Sequence, residues 1–226
     1  MGLYSDLSGQ VDTFFSEKWE TEDARCVPES ESLRLSNHAK KLDAVVLYAD
    51  LADSTRLVDA HRPEYVTRIY KAYLHCAAQI IKNNSGTITA YDGDRVMAVY
   101  IGKNKETNAV ITAMKLNFMV GEVFNKKYKL KLRHVVGIDK SDLFASKIGV
   151  RGDNDVVWIG RAANYAAKLS SCSDAYSCYI TGSVFAAMDE KLKVSEKNIW
   201  TDEIWTPYSD AAPIVRYHTN ALIRFS

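Results

Sequence analysis

Short apolar runs alternate with longer amphipathic ones along most of the chain, which predicts a mixture of strands and helices. Val45, Val46 and Leu47 form a run with β-branched residues, and this favours a buried strand over residues 43–50. One face then stays apolar from Val66 to Ile81, which is typical of an amphipathic helix. Pro63 suits the first turn of that helix, and the Asn-Asn-Ser-Gly sequence ending at Gly86 suits its end.

The next segment predicts a β-hairpin. Residues 87–91 and 95–101 are rich in β-branched and aromatic side chains, and Asp92-Gly93 between them is typical of a type I′ turn. Beyond the hairpin, the pattern predicts a helix over about 105–126, strands at 130–138, 146–150 and 156–159, a helix at 161–170, a strand at 179–181 and a helix at about 183–192.

This order of elements predicts an α+β fold. A strand, a helical crossover, a hairpin, a helix and a further strand form the split βαβ, or ferredoxin-like, arrangement, with an antiparallel-rich sheet and helices on one face. We expect the main domain to span residues 43–195. Residues 1–42 read as an amphipathic helix that packs on the main domain or on a second subunit, followed by a linker. Residues 196–226 read as a tail that closes the domain, with a possible edge strand at 214–219.

Composition excludes several classes of protein. The 226 residues are 47% hydrophobic and 25% charged, as in an ordinary globular protein. A formal net charge of +1 gives no reason to expect binding to nucleic acid or to an anionic membrane surface. No apolar run approaches the roughly 20 residues that cross a bilayer. The first residues lack the features of a signal peptide, and the four cysteines form no Cys-x-x-Cys pair, so we expect free thiols and a cytoplasmic protein.

Two carboxylates are candidates for metal binding. Asp50 ends the first predicted strand, and Asp94 follows the predicted hairpin turn. The two strands are neighbours in a ferredoxin-like sheet, which brings both acids together, and such a pair needs either a proton or a cation between its members. Magnesium favours one or two carboxylates together with water and substrate phosphates. The alternative is that Asp92-Gly93-Asp94 serves only as a turn.

A phosphate cradle is predicted beside Asp50. Asp53, Ser54 and Thr55 are typical of a helix N-terminus, whose free amides suit a phosphate group. A carboxylate next to such a cradle favours a cation between the two.

A third candidate element is the stretch from Gly160 to Lys168, which predicts a glycine turn followed by a helix. Asn164 and Lys168 are four residues apart and therefore share one helix face, and Arg161 could share it. Taken alone, such a polar stripe is more often a solvated helix surface.

Together the three blocks resemble class III nucleotide cyclases over about residues 43–190. The metal motif of that family is matched by Tyr48-Ala49-Asp50 with Ser54-Thr55, and its second metal aspartate by Gly93-Asp94, 44 residues after Asp50 (94 − 50 = 44). Its Gly-x-x-x-Asn-x-Ala-x-Arg block is matched by Gly160, Asn164 and Ala166, with Lys168 in place of the arginine. Lysine keeps the charge but lacks the bidentate fork of arginine.

The resemblance implies a catalytic domain over 43–195 with two Mg²⁺ or Mn²⁺ ions per active site. Asp50 and Asp94 would hold both metals, and the carbonyl of Leu51 would add a ligand. Asn164 would orient the ribose, and Lys168 would stabilise charge at the α-phosphate. The site would be shared across a head-to-tail homodimer, in which one chain supplies the aspartates and the other supplies Asn164 and Lys168.

The departures from the family pattern concern the base. Adenylate cyclases read adenine with a lysine and an aspartate at the positions of Ala90 and Val157, and neither residue here offers a polar side chain. The sequence is similar to the pyrimidine cyclases of bacterial Pycsar antiphage systems, which implies that UTP, or CTP as second choice, becomes cyclic UMP or cyclic CMP for a separate effector. The base pocket would include Ala90, Val157 and either Tyr91 or Asp92. The alternatives are a purine cyclase with an unusual pocket and a degenerate nucleotide-binding sensor.

Overall fold

The computed structural model describes residues 2–194 and 198–225, so the predicted boundary at residues 195/196 lies outside the described residues. The helices within them are α1 (Leu3–Ser16), α2 (Ser54–Ala60), α3 (Pro63–Asn83), α4 (Lys105–Met119), α5 (Arg161–Ser170), α6 (Gly182–Ala187) and α7 (Glu190–Lys193). The strands are β1 (Glu20–Asp23), β2 (His38–Leu51), β3 (Thr87–Asp92), β4 (Arg95–Tyr100), β5 (His134–Val150), β6 (Asp153–Ile159), β7 (Cys178–Thr181), β8 (Thr201–Trp205) and β9 (Ile214–Thr219).

The chain divides into two compact units. The larger unit contains Asp43–Ser141 and Arg161–Ser226, and the smaller contains Met1–Leu42 and Asp142–Gly160. The sequence-based domain boundaries stay a prediction.

The larger unit is built on a mostly antiparallel sheet, which confirms the predicted fold class. Its strands lie in the order β3-β4-β2-β5-β7-β9-β8. β4 is antiparallel to both β3 and β2, β9 is antiparallel to both β7 and β8, and β5 and β7 are parallel. β9 therefore lies inside the sheet and β8 at its edge, whereas the sequence pattern favoured an edge position for β9.

The main hydrophobic core lies between one face of this sheet and the helices α3 and α4. Alternate residues of β2 point into it, as the period of two in a strand requires. Val45, Leu47 and Ala49 of β2 pack with buried residues of both helices, among them Tyr73, Ala77, Val110 and Met114. This burial explains the long apolar face that the sequence shows after Pro63.

Helix α5 packs on the opposite face of the sheet, which differs from the expected arrangement of all helices on one face. Leu169 of α5 packs with Val135 of β5 and Tyr179 of β7. Gly137 permits this contact, because a Cβ there would lie 2.1 Å from the carbonyl oxygen of Ala166.

The β3–β4 hairpin differs from the predicted turn by one residue. Asp92 pairs with Arg95, so Gly93 and Asp94 are the two central residues. Gly93 has φ of +59°, whereas Asp94 is not in the left-handed region. Positive φ at the first central position alone is the type II′ pattern rather than type I′.

Two other elements differ in extent from the predictions. Helix α4 continues as a π-helical segment over Val120–Lys127. Residues 130–133, predicted to begin a strand, precede β5, and Lys129 and Lys131 both have positive φ values that interrupt extended pairing. Residues 134–138 and the predicted strand at 146–150 are instead parts of one strand, β5.

The smaller unit contains the predicted N-terminal helix. No residue of α1 is buried, so packing of its apolar side on a second subunit stays a prediction. Asn37 fixes the end of this helix by donating hydrogen bonds from Nδ2 to the carbonyls of Phe14 (2.8 Å) and Glu17 (3.1 Å).

The segment predicted to be a linker contains a strand instead. β1 pairs in parallel with the start of β2, with Glu20 opposite His38. Its four residues are polar and exposed, so the sequence carries no apolar alternation that could have revealed it. None of the helices in the described residues is long and apolar enough to span a bilayer.

Candidate active site

Asp50 and Asp94 come together where β2 ends beside the β3–β4 hairpin. Asp50 is the penultimate residue of β2, and Asp94 lies in the adjacent turn. Burial raises the pKa of the Asp94 carboxyl, and the negative charge of Asp50 raises it further. The two acids that are 44 residues apart in sequence (94 − 50 = 44) are thus electrostatic neighbours.

One oxygen of Asp94 is a buried acceptor without a partner. Its Oδ2 is shielded from solvent and accepts no hydrogen bond from the described residues. A hydrogen bond with Ser54 acts against the rise in the Asp94 pKa, and Ser54 also interacts with the hydroxyl of Tyr70. A buried carboxylate oxygen in this condition costs free energy unless a proton or a cation satisfies it.

Arg95 supplies a fixed positive charge to Asp50. Its Nε and Nη2 donate to Asp50 Oδ2 at 3.1 and 2.8 Å. Ala49 pairs with Val96 across β2 and β4, so Asp50 and Arg95 are the next cross-strand pair. The guanidinium also lies over the ring of Tyr48, 5.9 Å from its centroid. The sequence did not indicate Arg95 as a partner of Asp50, because the contact depends on the register of β2 against β4.

The donor set fits a hard divalent cation. Two carboxylates, one of them with an unpartnered buried oxygen, match the preference of Mg²⁺ for few protein carboxylates. Within residues 2–194 and 198–225, no three His, Cys, Asp or Glu side chains form a group that could hold a metal. The remaining ligands must therefore be backbone carbonyls, water or substrate phosphates, and Leu51, which ends β2, adjoins the pair.

The loop after β2 differs from the predicted N-cap. Asp53 occupies the N-cap position of α2 with φ of +58°, and its side chain makes no capping hydrogen bond. Its carboxylate instead binds Arg133. The first amides of α2, at Ser54 and Thr55, are therefore left without a side-chain cap.

A basic cavity of about 390 Å³ opens beside this loop. The residues lining it include Leu51, Ala52 and Asp53 from the loop and the cationic side chains of Arg56, Lys131 and Arg133. The main chain joins these segments directly, because the amide of Ala52 donates to the carbonyl of Arg133 at 2.9 Å.

The third predicted block is the exposed side of α5. Asn164 and Lys168 are both exposed there. No hydrogen bond or ion pair within the described part of the chain joins either side chain to Asp50 or Asp94. Within one chain, the structure therefore brings the two acids together with Ser54 and leaves Asn164 and Lys168 on a separate, open surface.

The predicted base-pocket residues lie on two strands. Ala90, Tyr91 and Asp92 are exposed at the end of β3, where a bulge precedes Ala90. Val157 is half-buried in β6 and pairs with Ser146.

Comparison with known proteins decides the family. Residues 37–201 match the model of the adenylate and guanylate cyclase catalytic domain. The chain belongs to the class III nucleotide cyclases. Among its relatives, a uridylate cyclase of Xanthomonas perforans is 44% identical over 220 residues, which are 93% of this chain and 95% of that protein. A uridylate cyclase of Burkholderia cepacia is 47% identical over 214 residues, covering 91% and 93% of the two chains.

Solved structures show the same fold. The guanylyl cyclase Cya2 superposes with a TM-score of 0.70 at 17% identity, covering 81% of this cyclase and 94% of that chain. At this identity the likeness concerns the fold alone.

Proposed function

We propose that this cyclase converts UTP, or CTP as second choice, to the 3′,5′-cyclic nucleotide and pyrophosphate. The observation that carries the chemistry is the convergence of Asp50 and Asp94 around an unpartnered, buried carboxylate oxygen. The choice of a pyrimidine is supported by two relatives, each named a uridylate cyclase and 44% and 47% identical to this chain.

Asp50 and Asp94, with the carbonyl of Leu51, would hold two Mg²⁺ or Mn²⁺ ions. When bound, such ions lower the pKa of the ribose 3′-hydroxyl and stabilise the pyrophosphate that leaves. The carboxylate of Asp50 is held in place by Arg95, so its orientation is set before any ligand arrives. Preorganisation of this kind lowers the cost of reaching the reactive arrangement.

The triphosphate would lie against the loop that follows β2. The uncapped amides of Ser54 and Thr55 lie at the start of α2, where anions are favoured. Arg56 and Lys131 add positive charge to the cavity beside that loop.

Asn164 and Lys168 would act on a nucleotide bound by a second copy of the chain. In the proposed head-to-tail homodimer, Asn164 orients the ribose through its amide, and Lys168 stabilises the charge that builds on the α-phosphate. Their exposure in the single chain supports this assignment, because a free helix face is open to a partner.

The base would contact the end of β3 and the middle of β6. Ala90 and Val157 offer no side-chain hydrogen bond, so reading of the pyrimidine edge falls to main-chain groups and to Tyr91 or Asp92. In the cytoplasm, the cyclic nucleotide would act on a separate effector in antiphage defence.

Incubation of the purified protein with Mn²⁺ and each of the four nucleoside triphosphates tests the reaction. Chromatography with mass detection should find cyclic UMP or cyclic CMP, and Asp50→Ala should form neither. Cyclic AMP or cyclic GMP as the sole product would support a purine cyclase instead. Binding of nucleotides without turnover would support a degenerate sensor.

A further inference from the structure

Alternate residues of β5 form the strand face on which α5 packs. Gly137, Asp139 and Ser141 share one strand face, because side chains alternate along a strand. Gly137 lets the α5 backbone approach closely. Ser141 Oγ accepts a hydrogen bond from the amide of Ala162 at 2.9 Å, which caps the first turn of α5. Asp139 lies between these two contacts.

Asp139 is fully buried and carries four polar contacts. Arg161, the first residue of α5, donates from Nε to Oδ2 at 3.0 Å and from Nη2 to Oδ1 at 3.3 Å. The hydroxyls of Thr181 and Ser183 donate to Oδ1 at 2.5 and 3.3 Å. Arg161 also donates to the carbonyl of Lys140 at 2.7 Å. This network ties β5, β7 and α6 to a single point on α5.

Stability alone does not account for this arrangement. Burying a carboxylate is costly, and apolar residues of similar volume often stabilise a core as well as an ion pair does. Here Asp139 is 0% exposed, while the side chain of Arg161 is 47% exposed, so the pair is only partly dehydrated and the carboxylate bears most of the cost. A directional contact of this kind fixes orientation, which an apolar contact does not.

Arg161 lies on the same face of α5 as the predicted reactive side chains, so fixing its position also fixes theirs. It lies three residues before Asn164 and seven before Lys168, which is the spacing of one helix face. Its guanidinium also lies 5.6 Å from the ring centroid of Tyr165, one helical turn further along α5. A rotation or slide of α5 that broke the Asp139 contact would move Asn164 and Lys168 together.

We propose that Asp139 is a positioning residue of the cyclase: through Arg161 it sets where α5 presents Asn164 and Lys168 to the nucleotide. The inference rests on the proposed function, since it concerns the helix that would act on the partner's nucleotide. It adds a residue that touches neither the nucleotide nor the metal ions.

A double-mutant cycle tests whether Asp139 acts through Arg161. Asp139→Asn keeps the shape of the side chain and removes its charge. Arg161→Met changes a half-exposed side chain and leaves the core intact. Each should lower kcat by about 10-fold to 100-fold, with KM for the nucleotide within about twofold and an unchanged circular dichroism spectrum. The double variant should lose no more than the worse single variant. Additive losses in kcat, a rise in KM alone, or activity loss that only follows loss of folded protein would overturn the proposal.

Mixed dimers locate the effect on α5. Chains with two different tags are co-expressed and the heterodimer is isolated. Asp50→Ala paired with Asp139→Asn should recover about half of the wild-type kcat, because one of the two sites then combines intact acids with an intact α5. No recovery, while the control pair of Asp50→Ala with Lys168→Ala does recover, would overturn the proposal and leave the shared site standing. If neither pair recovers, the shared site is wrong and the double-mutant cycle alone decides the role of Asp139.

Discussion

Gly137→Ala offers a sharp test of how α5 is held. The added Cβ would lie 2.1 Å from the carbonyl oxygen of Ala166 and 2.4 Å from the amide nitrogen of Ser170, whereas ordinary contact begins at 3.4 Å. Both atoms belong to the α5 backbone, so no side chain can rotate away, and the helix must move by roughly 1 Å.

That displacement should reduce both activity and stability. A shift of about 1 Å in reactive groups can cost about 100-fold in rate. Overpacking of a core contact typically costs about 1–3 kcal/mol, and each kcal/mol lowers the melting temperature of a chain of this size by about 2–4 °C. We therefore expect a kcat about 100-fold below wild type and a melting temperature several degrees lower.

The assay compares cyclic nucleotide formation at saturating substrate with thermal unfolding followed by circular dichroism. Gly121→Ala is the matched control, because a Cβ at Gly121 meets no atom within 4 Å. If Gly137→Ala matched Gly121→Ala in both kcat and melting temperature, the placement of α5 against β5 would be refuted.

Three further predictions follow from the site and from the core beneath it. Asp94→Asn should abolish turnover yet raise the melting temperature of the metal-free protein, because burial and the charge of Asp50 both raise the pKa of this carboxyl; a lower melting temperature would contradict this. Burial lowers the pKa of His134 from 6.5 to about 4. The neutral side chain therefore contributes its full stability to the fold above pH 6.5, and this contribution is lost as the pH falls towards 4. The free energy of unfolding should drop by about 3 kcal/mol over that range, and urea titrations should show a weaker pH dependence in His134→Asn. Lys168→Arg should retain activity while Lys168→Met lowers kcat by about 100-fold to 1000-fold, measured at saturating nucleotide, and equal rates for both would exclude a role for the charge.

Local patterns allowed much of the fold to be predicted. The β-branched run before Asp50, the glycine of the hairpin and the long apolar face after Pro63 are each encoded within a few neighbouring residues. Periodicity does not encode which face of the sheet a helix covers. The contact of α5 with β5 depends on Gly137, which is remote in sequence from Ala166, so its side of the sheet could not be predicted.

The candidate site divides in the same way. Asp50 and Asp94 could be predicted because one lies near the end of a recognisable strand and the other in a recognisable hairpin turn. The partner of Asp50 could not, because the meeting of Arg95 with that carboxylate depends on the register of β2 against β4. Asp53 also escaped prediction as a partner of Arg133, since a left-handed N-cap residue is an exception to the usual extended conformation.

The most direct measurement of whether Asp50 and Asp94 act together on divalent cations is Mn²⁺ binding in the presence of a non-reactive UTP analogue. Electron paramagnetic resonance should show about two bound Mn²⁺ ions per active site in the wild-type protein. Asp50→Asn and Asp94→Asn should each lose most of this binding, while Glu122→Gln, which removes an exposed acid from the segment after α4, should keep it. Wild-type Mn²⁺ binding in both Asp50→Asn and Asp94→Asn would contradict a shared metal site.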